Sequence, residues 1–135
     1  MTRLLIACTV AMALAPGGRV LAHHSAAGID RTRSVVVRGT VKEFRWANPH
    51  AWIDLDVKND RGVVETWSIE MTSPTFLIRA GWKSSTLKAG DEVSVTLRPF
   101  KNGDPGGLFL SVTLADGRVL GERSAAPPGD GPAPA

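Results

Sequence analysis

The stretch AWIDLDV, residues 51–57, alternates apolar and polar side chains along its whole length. Its odd-numbered members are Ala, Ile, Leu and Val, and the residues between them are Trp52, Asp54 and Asp56. A period of two is typical of a β-strand with one face buried and the other in solvent. The stretch therefore predicts a strand whose outer face is acidic.

The residues that follow predict a hairpin. The turn sequence NDRG at residues 59–62 leads into residues 63–71, where Trp67, Ile69 and Met71 share one face. Two alternating segments joined by a short turn that contains glycine pair as antiparallel strands. We expect the apolar faces of both strands to line one core, which makes Trp67 a core residue.

Toward the amino terminus, residues 35–41 alternate in the same way and predict the first strand of the domain. Gly39 lies in the middle of this segment. A glycine inside a strand suggests a bulge or a sharp bend of the kind that curls a sheet. We therefore expect the first strand to bend at Gly39.

Toward the carboxyl terminus, the sequence SPTFLIRAGW predicts a short helix. Ser73 is a suitable N-cap, Pro74 favours the first helical position, and Gly81 favours a stop. Trp82, which follows the stop, is expected in the core. The helix is predicted to bury an apolar stripe of three residues: Phe76, Leu77 and Ala80.

Two further strands are predicted over residues 92–98 and 108–114, joined by a polar, glycine-rich loop. Residues 115–118 are a turn into a short final extension. In the strand at residues 108–114, period two predicts four inward residues: Leu108, Leu110, Val112 and Leu114.

Three strands, one short helix and two more strands, in this order, predict an all-β fold with one short helix. This is the order of the small five-stranded Greek-key barrel called the OB-fold, and we place an OB-like domain at residues 34–120. A small β-sandwich is the alternative, although an immunoglobulin-like sandwich has about seven strands and no helix in mid-chain.

Residues 1–22 are predicted to be a signal peptide. A positive start is followed by the apolar run LLIACTVAMALA and a small-residue finish, which is the layout of a secretory signal. Cleavage after Ala22 is favoured over cleavage after Ala15, because Pro16 fits poorly into an extended protease-bound backbone. The sequence thus predicts a bacterial periplasmic or secreted protein whose mature chain begins at His23.

The flanks of the predicted domain carry few apolar residues. Residues 23–33 are predicted to be flexible, and the Pro-, Gly- and Ala-rich residues 121–135 are predicted to be disordered. The one cysteine, Cys8, lies in the predicted signal peptide, so we expect no disulfide and no thiolate ligand in the mature chain. After signal removal, no segment is apolar enough to predict a membrane span.

Charge argues against nucleic acid as a partner. The chain has 16 basic and 13 acidic residues, a net charge of +3. Loss of Arg3 and Arg19 with the signal leaves 14 basic residues against 13 acidic ones, so the mature net charge is +1. Nucleic-acid binding depends on clustered Lys and Arg side chains that meet phosphates, and a nearly neutral chain is a poor candidate.

The chain has three histidines, and together they suggest a metal site. His23, as the first mature residue, offers a free amine and an imidazole to one ion, and His24 adds a second ring. His50 lies in the loop between the first two predicted strands, where OB-folds commonly bind ligands. Such a nitrogen-rich set favours Cu(II), so copper is the predicted cofactor. In the alternative interpretation, His23 and His24 are polar residues of a flexible terminus, and His50 is a loop histidine that is hydrogen-bonded to a neighbour.

Trp46, Asn48 and Trp52 flank or occupy the same loop and suggest a second function. Exposed indole rings at the rim of a barrel can stack on a sugar or a peptide. The alternative to copper binding is therefore a periplasmic recognition module for a peptide, a glycan or a partner protein. These tryptophans are also explained by simple packing at the rim.

A catalytic function is not expected. Ser68 or Ser73 can be drafted into a triad with His50 and Asp54, but nothing in the spacing selects them, and no nucleophile elbow is present. Asp54 and Asp56 can be read as a cation site or an acid/base pair, but an exposed strand face explains both carboxylates. We therefore predict a non-catalytic protein.

Several motifs resemble a family of short exported bacterial proteins of unknown function. They are AHHS, GTV, WANPHAWIDLDV, SPTFLIRAGW, LKAGDEV and SVTLADGRVL, and they span residues 22–120. The resemblance implies export and a small β fold, and it offers no catalytic residue. The family usually has Glu-Leu-Gly-Ser-Pro where this chain has EMTSP at residues 70–74, which adds the Met71 thioether as a soft ligand or a core filler.

Overall fold

The computed structural model describes residues 28–123, which form six strands and one short helix. The predicted all-β fold with one short helix is confirmed, and the predicted final extension is a sixth strand. In chain order the elements are β1 (Val35–Arg45), β2 (Trp52–Lys58), β3 (Val64–Glu70), α1 (Pro74–Arg79), β4 (Glu92–Pro99), β5 (Gly106–Thr113) and β6 (Val119–Gly121).

The β2–β3 hairpin forms as the alternation predicts. The two strands pair along their full length, with Trp52 opposite Glu70. The inward residues Ile53, Leu55 and Ile69 are fully buried, and burial of each such side chain contributes about 1.5–3 kcal/mol. A slip of one residue would turn them all to solvent, so their burial fixes the register.

The sheet closes into a barrel because β3 also pairs with β5. The strand order is β3-β2-β1-β4-β5-β6, and residues 68–70 of β3 pair in parallel with residues 106–108 of β5. The closed barrel contains the first five strands, with α1 between β3 and β4. This topology confirms the OB-fold-like Greek-key barrel, and the sandwich alternative is wrong because the strands form one closed sheet.

Two glycines allow β5 to lie close to both β3 and β4. Gly106 and Gly107 have φ angles of 145° and 153°, which residues with a side chain rarely adopt. A Cβ atom at Gly106 would lie 2.3 Å from Ser68 O, and one at Gly107 would lie 2.0 Å from Arg98 O. Closure of the barrel therefore requires the absence of two side chains.

The bulge in strand β1 lies at a different residue from the one predicted. The pairing of β1 with β2 changes register between Val41 and Glu43, so the bulge lies at Lys42. Gly39 instead allows β2 to approach, because a Cβ atom there would lie 2.3 Å from Asp56 O. The first half of β1 pairs with β4, and the second half, which contains the bulge, pairs with β2.

The predicted inward face of β5 is partly wrong. Val112 is buried as predicted, but Phe109 is buried as well, Leu108 is half-buried and Leu110 is exposed. The β4–β5 register changes next to Leu97 and leaves Leu110 as an extra residue. Beyond a bulge, the residues that were inward become outward. A period of two in the sequence does not show where such a reversal occurs.

Helix α1 confirms the short helix predicted after the hairpin. Ser73 occupies the N-cap position without a side-chain cap hydrogen bond, and Pro74 is the first helical residue. Leu77 is buried, whereas Phe76 is 57% exposed and its ring centroid lies 5.8 Å from the Arg79 guanidinium carbon. The predicted stripe is wrong for Phe76, because a helix of six residues presents little more than one turn to the core.

Both tryptophans predicted in the core pack there. Trp82 is buried, and its Nε1 donates a hydrogen bond of 2.8 Å to Gly121 O. Its ring meets Phe109 edge-on, with 5.7 Å between the centroids. Trp67 is half-buried and packs against the same cluster. The indole of Trp82 thereby ties β6 to the barrel.

The barrel also holds both ends of the described chain. Ile29 is 4% exposed and forms an antiparallel bridge with Phe100, next to the end of β4. Glu122, which follows β6, accepts a hydrogen bond of 2.6 Å from Thr72 N. These two contacts connect the ends of the described chain to residues far away in the sequence.

Packing thus extends beyond residues 34–120 on both sides. The first contact falls in the segment 23–33 and the second in the segment 121–135. The predicted signal peptide, residues 1–22, and the predicted cleavage site lie outside the residues that the structure describes. Within the described residues, no helix has the length and apolar character needed to cross a membrane.

Gly107→Ala is expected to destabilise the barrel. The new Cβ would lie 2.0 Å from Arg98 O, so β4 and β5 must separate, and overpacking of this kind costs about 3 kcal/mol. Unfolding in urea, followed by tryptophan fluorescence, measures the loss.

Gly62→Ala is the matched control. Gly62 also has a positive φ angle, 78°, but no atom lies within 4 Å of the position of its Cβ. The substitution therefore carries only the backbone cost of about 1–2 kcal/mol. A Gly107→Ala loss no larger than this would show that the close approach of β5 to β4 does not limit the stability of the barrel.

Candidate functional site

Backbone hydrogen bonds fasten the loop between β1 and β2 to the end of β3. Ala51 N donates to Thr72 O at 3.1 Å, and Met71 N donates to Ala51 O at 2.9 Å. Ala51 is fully buried, which fixes the end of the loop against the core. This pairing places His50 beside Glu70, the last residue of β3.

His50 and Glu70 form a pair at this junction. His50 Nδ1 is in hydrogen-bond contact with Glu70 Oε1. The side chain of His50 is 49% exposed, and that of Glu70 is 17% exposed. With the ring proton on Nδ1, this N–H donates to the carboxylate and leaves the lone pair of Nε2 available. Within the described part of the chain, Nε2 has no hydrogen-bond partner.

A second carboxylate, that of Glu122, lies close to this pair. Burial raises the pKa of Glu122, and the charge of Glu70 acts in the same direction. The hydrogen bond from Thr72 N and the attraction of His50 and Arg123 lower the pKa, but burial dominates. Two carboxylates from different parts of the chain, those of Glu70 and Glu122, therefore lie near His50.

Sequence reasoning misses both carboxylates. Glu70 has a signal in the sequence, because it is an outward residue of the predicted hairpin and its partner in the register is Trp52, two residues after His50. Glu122 has none, since it follows the last apolar residues and opens a Pro- and Gly-rich tail.

The described residues contain only part of the predicted copper site. Among them, no group of three or more His, Cys, Asp or Glu side chains is placed to hold a metal ion. His23 and His24 lie outside the described residues, so the structure places neither of them. Met71 is 1% exposed, which makes it a core filler. Of the three predicted ligands, His50 is the one that the structure describes.

Asp54, on the outer face of β2, is held by its neighbours. Arg45 donates two hydrogen bonds of 3.0 Å to its carboxylate, and Ser68 Oγ donates a third of 2.9 Å. The guanidinium of Arg45 also lies 5.2 Å from the ring centroid of Trp52. A planar guanidinium suits this combination of a bidentate ion pair and ring stacking.

Asp56, two residues further along β2, has a similar environment. Thr66 Oγ1 donates to it at 2.7 Å, and Lys42 Nζ lies 4.0 Å away. Both aspartates point to the outer face, as the alternation predicts, and both are bonded to side chains of adjacent strands. These contacts support a structural role for the two carboxylates.

The structure places Trp46 and Trp52, the two tryptophans predicted at the rim, in different surroundings. Trp46 is half-buried, packs against the core and meets Phe44 edge-on at 5.6 Å between centroids. Trp52 lies on the outer face of β2 against Arg45. Asn48 is exposed in the loop that joins the two strands. The described residues show no ring contact between Trp46 and Trp52 that would make one stacking platform.

Comparison with known proteins identifies the family. The sequence profile of DUF6152, a family of unknown function, matches residues 11–110. The chain belongs to DUF6152. No curated protein and no solved structure matches the chain. In this DUF6152 protein the matched residues include His50 and Glu70, whereas Glu122 lies beyond them.

Glu122→Gln is expected to change the pH dependence of stability. The raised pKa means that the folded protein binds this proton more tightly than the unfolded chain does, so the contribution of Glu122 is full at low pH. It is lost as the pH rises through the folded-state pKa. From about pH 4 to pH 7, the free energy of unfolding should therefore fall further in the unmodified protein than in Glu122→Gln.

The measurement is urea denaturation at each pH. Glutamine keeps an oxygen that accepts from Thr72 N, so the substitution removes the charge and retains the hydrogen bond. Glu43→Gln, at an exposed position of β1, is the control and should reproduce the profile of the unmodified protein. Identical profiles for Glu122→Gln and the unmodified protein would contradict the prediction.

Proposed function

We propose that the mature protein is exported to the bacterial periplasm or secreted, and that it binds a copper ion without catalysing a reaction. Its ligands are His23, His24 and His50. The observation that carries the proposal is the contact of His50 Nδ1 with Glu70. Metal-binding histidines almost always donate their second ring N–H to an oxygen partner, which fixes the tautomer and makes the metal-facing nitrogen more basic.

The charges around His50 favour a bound cation. Glu70 places a carboxylate against His50, and Glu122, which interacts with Glu70, His50 and Arg123, adds a second negative charge above its raised pKa. The Arg45 guanidinium is already paired with Asp54 on the outer face. A divalent ion on Nε2 would offset the repulsion between the two carboxylates.

The predicted mature terminus supplies the remaining ligands. A terminal His23 can close a chelate with its amine and its ring, and protons on both groups are readily displaced by a metal near neutral pH. With Met71 buried and Cys8 in the predicted signal peptide, the available donors are nitrogen and oxygen. Such donors in a tetragonal arrangement favour Cu(II).

The amino-terminal segment is long enough to reach His50. Three strand spacings, about 15 Å, separate Gly28 from Ser68 by way of β4 and β5. Glu70 lies two residues further along β3, about 7 Å. Because the sheet is curved, the direct distance is at most about 16 Å. Residues 23–27 span up to about 17 Å when extended.

The contacts of His50 also support a non-catalytic role. The Ser68 hydroxyl donates to Asp54, and the hydrogen-bond partner of His50 is Glu70. Among the described residues, Nδ1 of His50 therefore contacts a carboxylate, as the second ring nitrogen of a metal-binding histidine does. It does not contact a hydroxyl group that could act as a nucleophile.

Titration of the processed protein with Cu(II) tests the proposal. The protein is recovered after export, its first residue is established by intact mass, and binding is measured by competition with a chelator and by electron paramagnetic resonance. We expect one ion per chain with nitrogen ligands. Glu70→Gln, which removes the orienting charge, should weaken binding about 10–100-fold, and His50→Ala should weaken it at least as much.

Glu65→Gln is the matched control for Glu70→Gln, because Glu65 is an exposed residue of the same strand, and it should bind Cu(II) as the unmodified protein does. Weak binding that is unchanged in His23→Ala and His50→Ala would overturn the copper proposal in favour of a recognition module. An intact mass that retains residues 1–22 would overturn the proposed export and the mature terminus.

A further inference from the structure

The barrel closes along only part of β3. The whole of β3, residues 64–70, pairs with β2 on one side, but only residues 68–70 pair with β5 on the other. Among the described strands, none lies beside residues 64–67 on that side. The unpaired edge of a strand is a template for another extended chain. The first half of β3 therefore has one open edge.

Hydrogen bonds to β2 show which backbone groups face this edge. At one end of the hairpin, Asn59 N donates to Val63 O at 2.8 Å, and at the other end Met71 N donates to Ala51 O at 2.9 Å. Odd-numbered residues of β3 therefore bond to β2. Alternate residues of an antiparallel strand direct their N–H and C=O groups to opposite edges, so residues 64, 66 and 68 direct theirs away from β2.

Pro105 ends the ladder between β3 and β5. Ser68 N donates to Pro105 O at 3.3 Å, and in a parallel ladder of this register residue 105 is also the donor for the carbonyl of Thr66. Proline has no N–H to donate. Among the described residues, the backbone N–H and C=O groups of Val64 and Thr66 thus have no partner. They are two donors and two acceptors in the spacing that an antiparallel strand requires.

The side chains beside these groups determine which strand fits. Val64 is 58% exposed, so an apolar residue opposite it would add a stabilising contact. Glu65 is exposed and its carboxylate accepts a hydrogen bond of 3.0 Å from Asn59 Nδ2. Within the described part of the chain, Glu65 forms no ion pair. Because opposite charges directly across a sheet attract, the edge favours a strand with a lysine or arginine opposite Glu65.

A second copy of this chain fits the edge poorly. A twofold axis at Glu65 would set the two Glu65 carboxylates directly opposite each other, which is unfavourable. A twofold axis at Val64 would pair Thr66 with Gly62, whose N–H already donates to Asn59 O at 2.8 Å. The first symmetric register opposes like charges, and the second leaves the carbonyl of Thr66 without a donor. The edge therefore suits a different chain.

We propose that residues 64–66 bind an extended segment of a partner protein, which adds a strand antiparallel to β3. Four backbone hydrogen bonds to Val64 and Thr66 hold the segment, and a basic residue opposite Glu65 selects it. In strand addition of this kind, affinity comes from the main chain and specificity from the side chains. The surface shares no residue with the proposed copper site.

A synthetic peptide of sequence Ser-Thr-Lys-Val-Ser, labelled with fluorescein, tests the proposal by fluorescence anisotropy with the full-length protein. Its threonine, lysine and valine align with Thr66, Glu65 and Val64, and we expect saturable binding. N-methylation of the threonine and valine amides removes two donors and should weaken binding about 30-fold. N-methylation of the lysine amide, which points away from β3 in this register, is the matched control and should leave binding unchanged.

A charge exchange tests the selectivity. Glu65→Lys should weaken binding of the lysine peptide about fivefold and strengthen binding of a peptide with glutamate in place of lysine by a similar factor. Glu43→Lys, at an exposed position of β1, is the control and should change neither constant. Urea unfolding of each variant establishes that the barrel is intact.

Three outcomes would overturn the proposal. One is the absence of saturable binding, or equal loss on N-methylation of the lysine amide and of its neighbours. Another is binding that does not respond to Glu65→Lys, which would remove the basic residue as the selecting group. The third is self-association of the protein in sedimentation velocity that Thr66→Pro abolishes, which would make a second copy the occupant of the edge.

Discussion

The parallel pairing of β3 with β5 is the contact on which the rest of the structure depends. It requires Gly106, which leaves room for Ser68 O of β3, while Gly107 leaves room for Arg98 O of β4 on the other side. Once closed, the barrel buries the inward faces of five strands in one cluster. The same closure brings the loop after β4 against Ser68.

The outer face of β2 and β3 is where many OB-folds bind oligonucleotides or oligosaccharides. In this protein the face is occupied by its own side chains. Arg45 is shared between Asp54 and the ring of Trp52, and Asp56 is bonded to Thr66. The guanidinium of Arg45, at the centre of this face, is therefore already paired, and the low net charge of the chain agrees with this. The exposed candidate ligand lies instead at the end of the loop between β1 and β2, at His50.

Much of the fold can be predicted from the period of two, because burial of one strand face leaves a direct pattern in segments such as residues 51–57. Features that depend on pairing between distant segments leave no such pattern. The bulge at Leu110 is set by how β5 meets β4, and Ile29 is buried by a partner far along the chain. In the site, composition draws attention to His50, whereas Glu122 becomes visible only when β6 is in place.

The bond between Thr72 and Glu122 joins residues 50 positions apart, and this has a consequence for the order of events during synthesis. The barrel cannot be completed until nearly all of the described chain has been made, because β5 must close it and Glu122 must reach back to Thr72. Folds dominated by such non-local pairings form in milliseconds to seconds, while synthesis adds about 5–20 residues per second. The valine-rich β1 therefore waits several seconds for β4, its distant partner, and its unpaired edge is open to aggregation in that period.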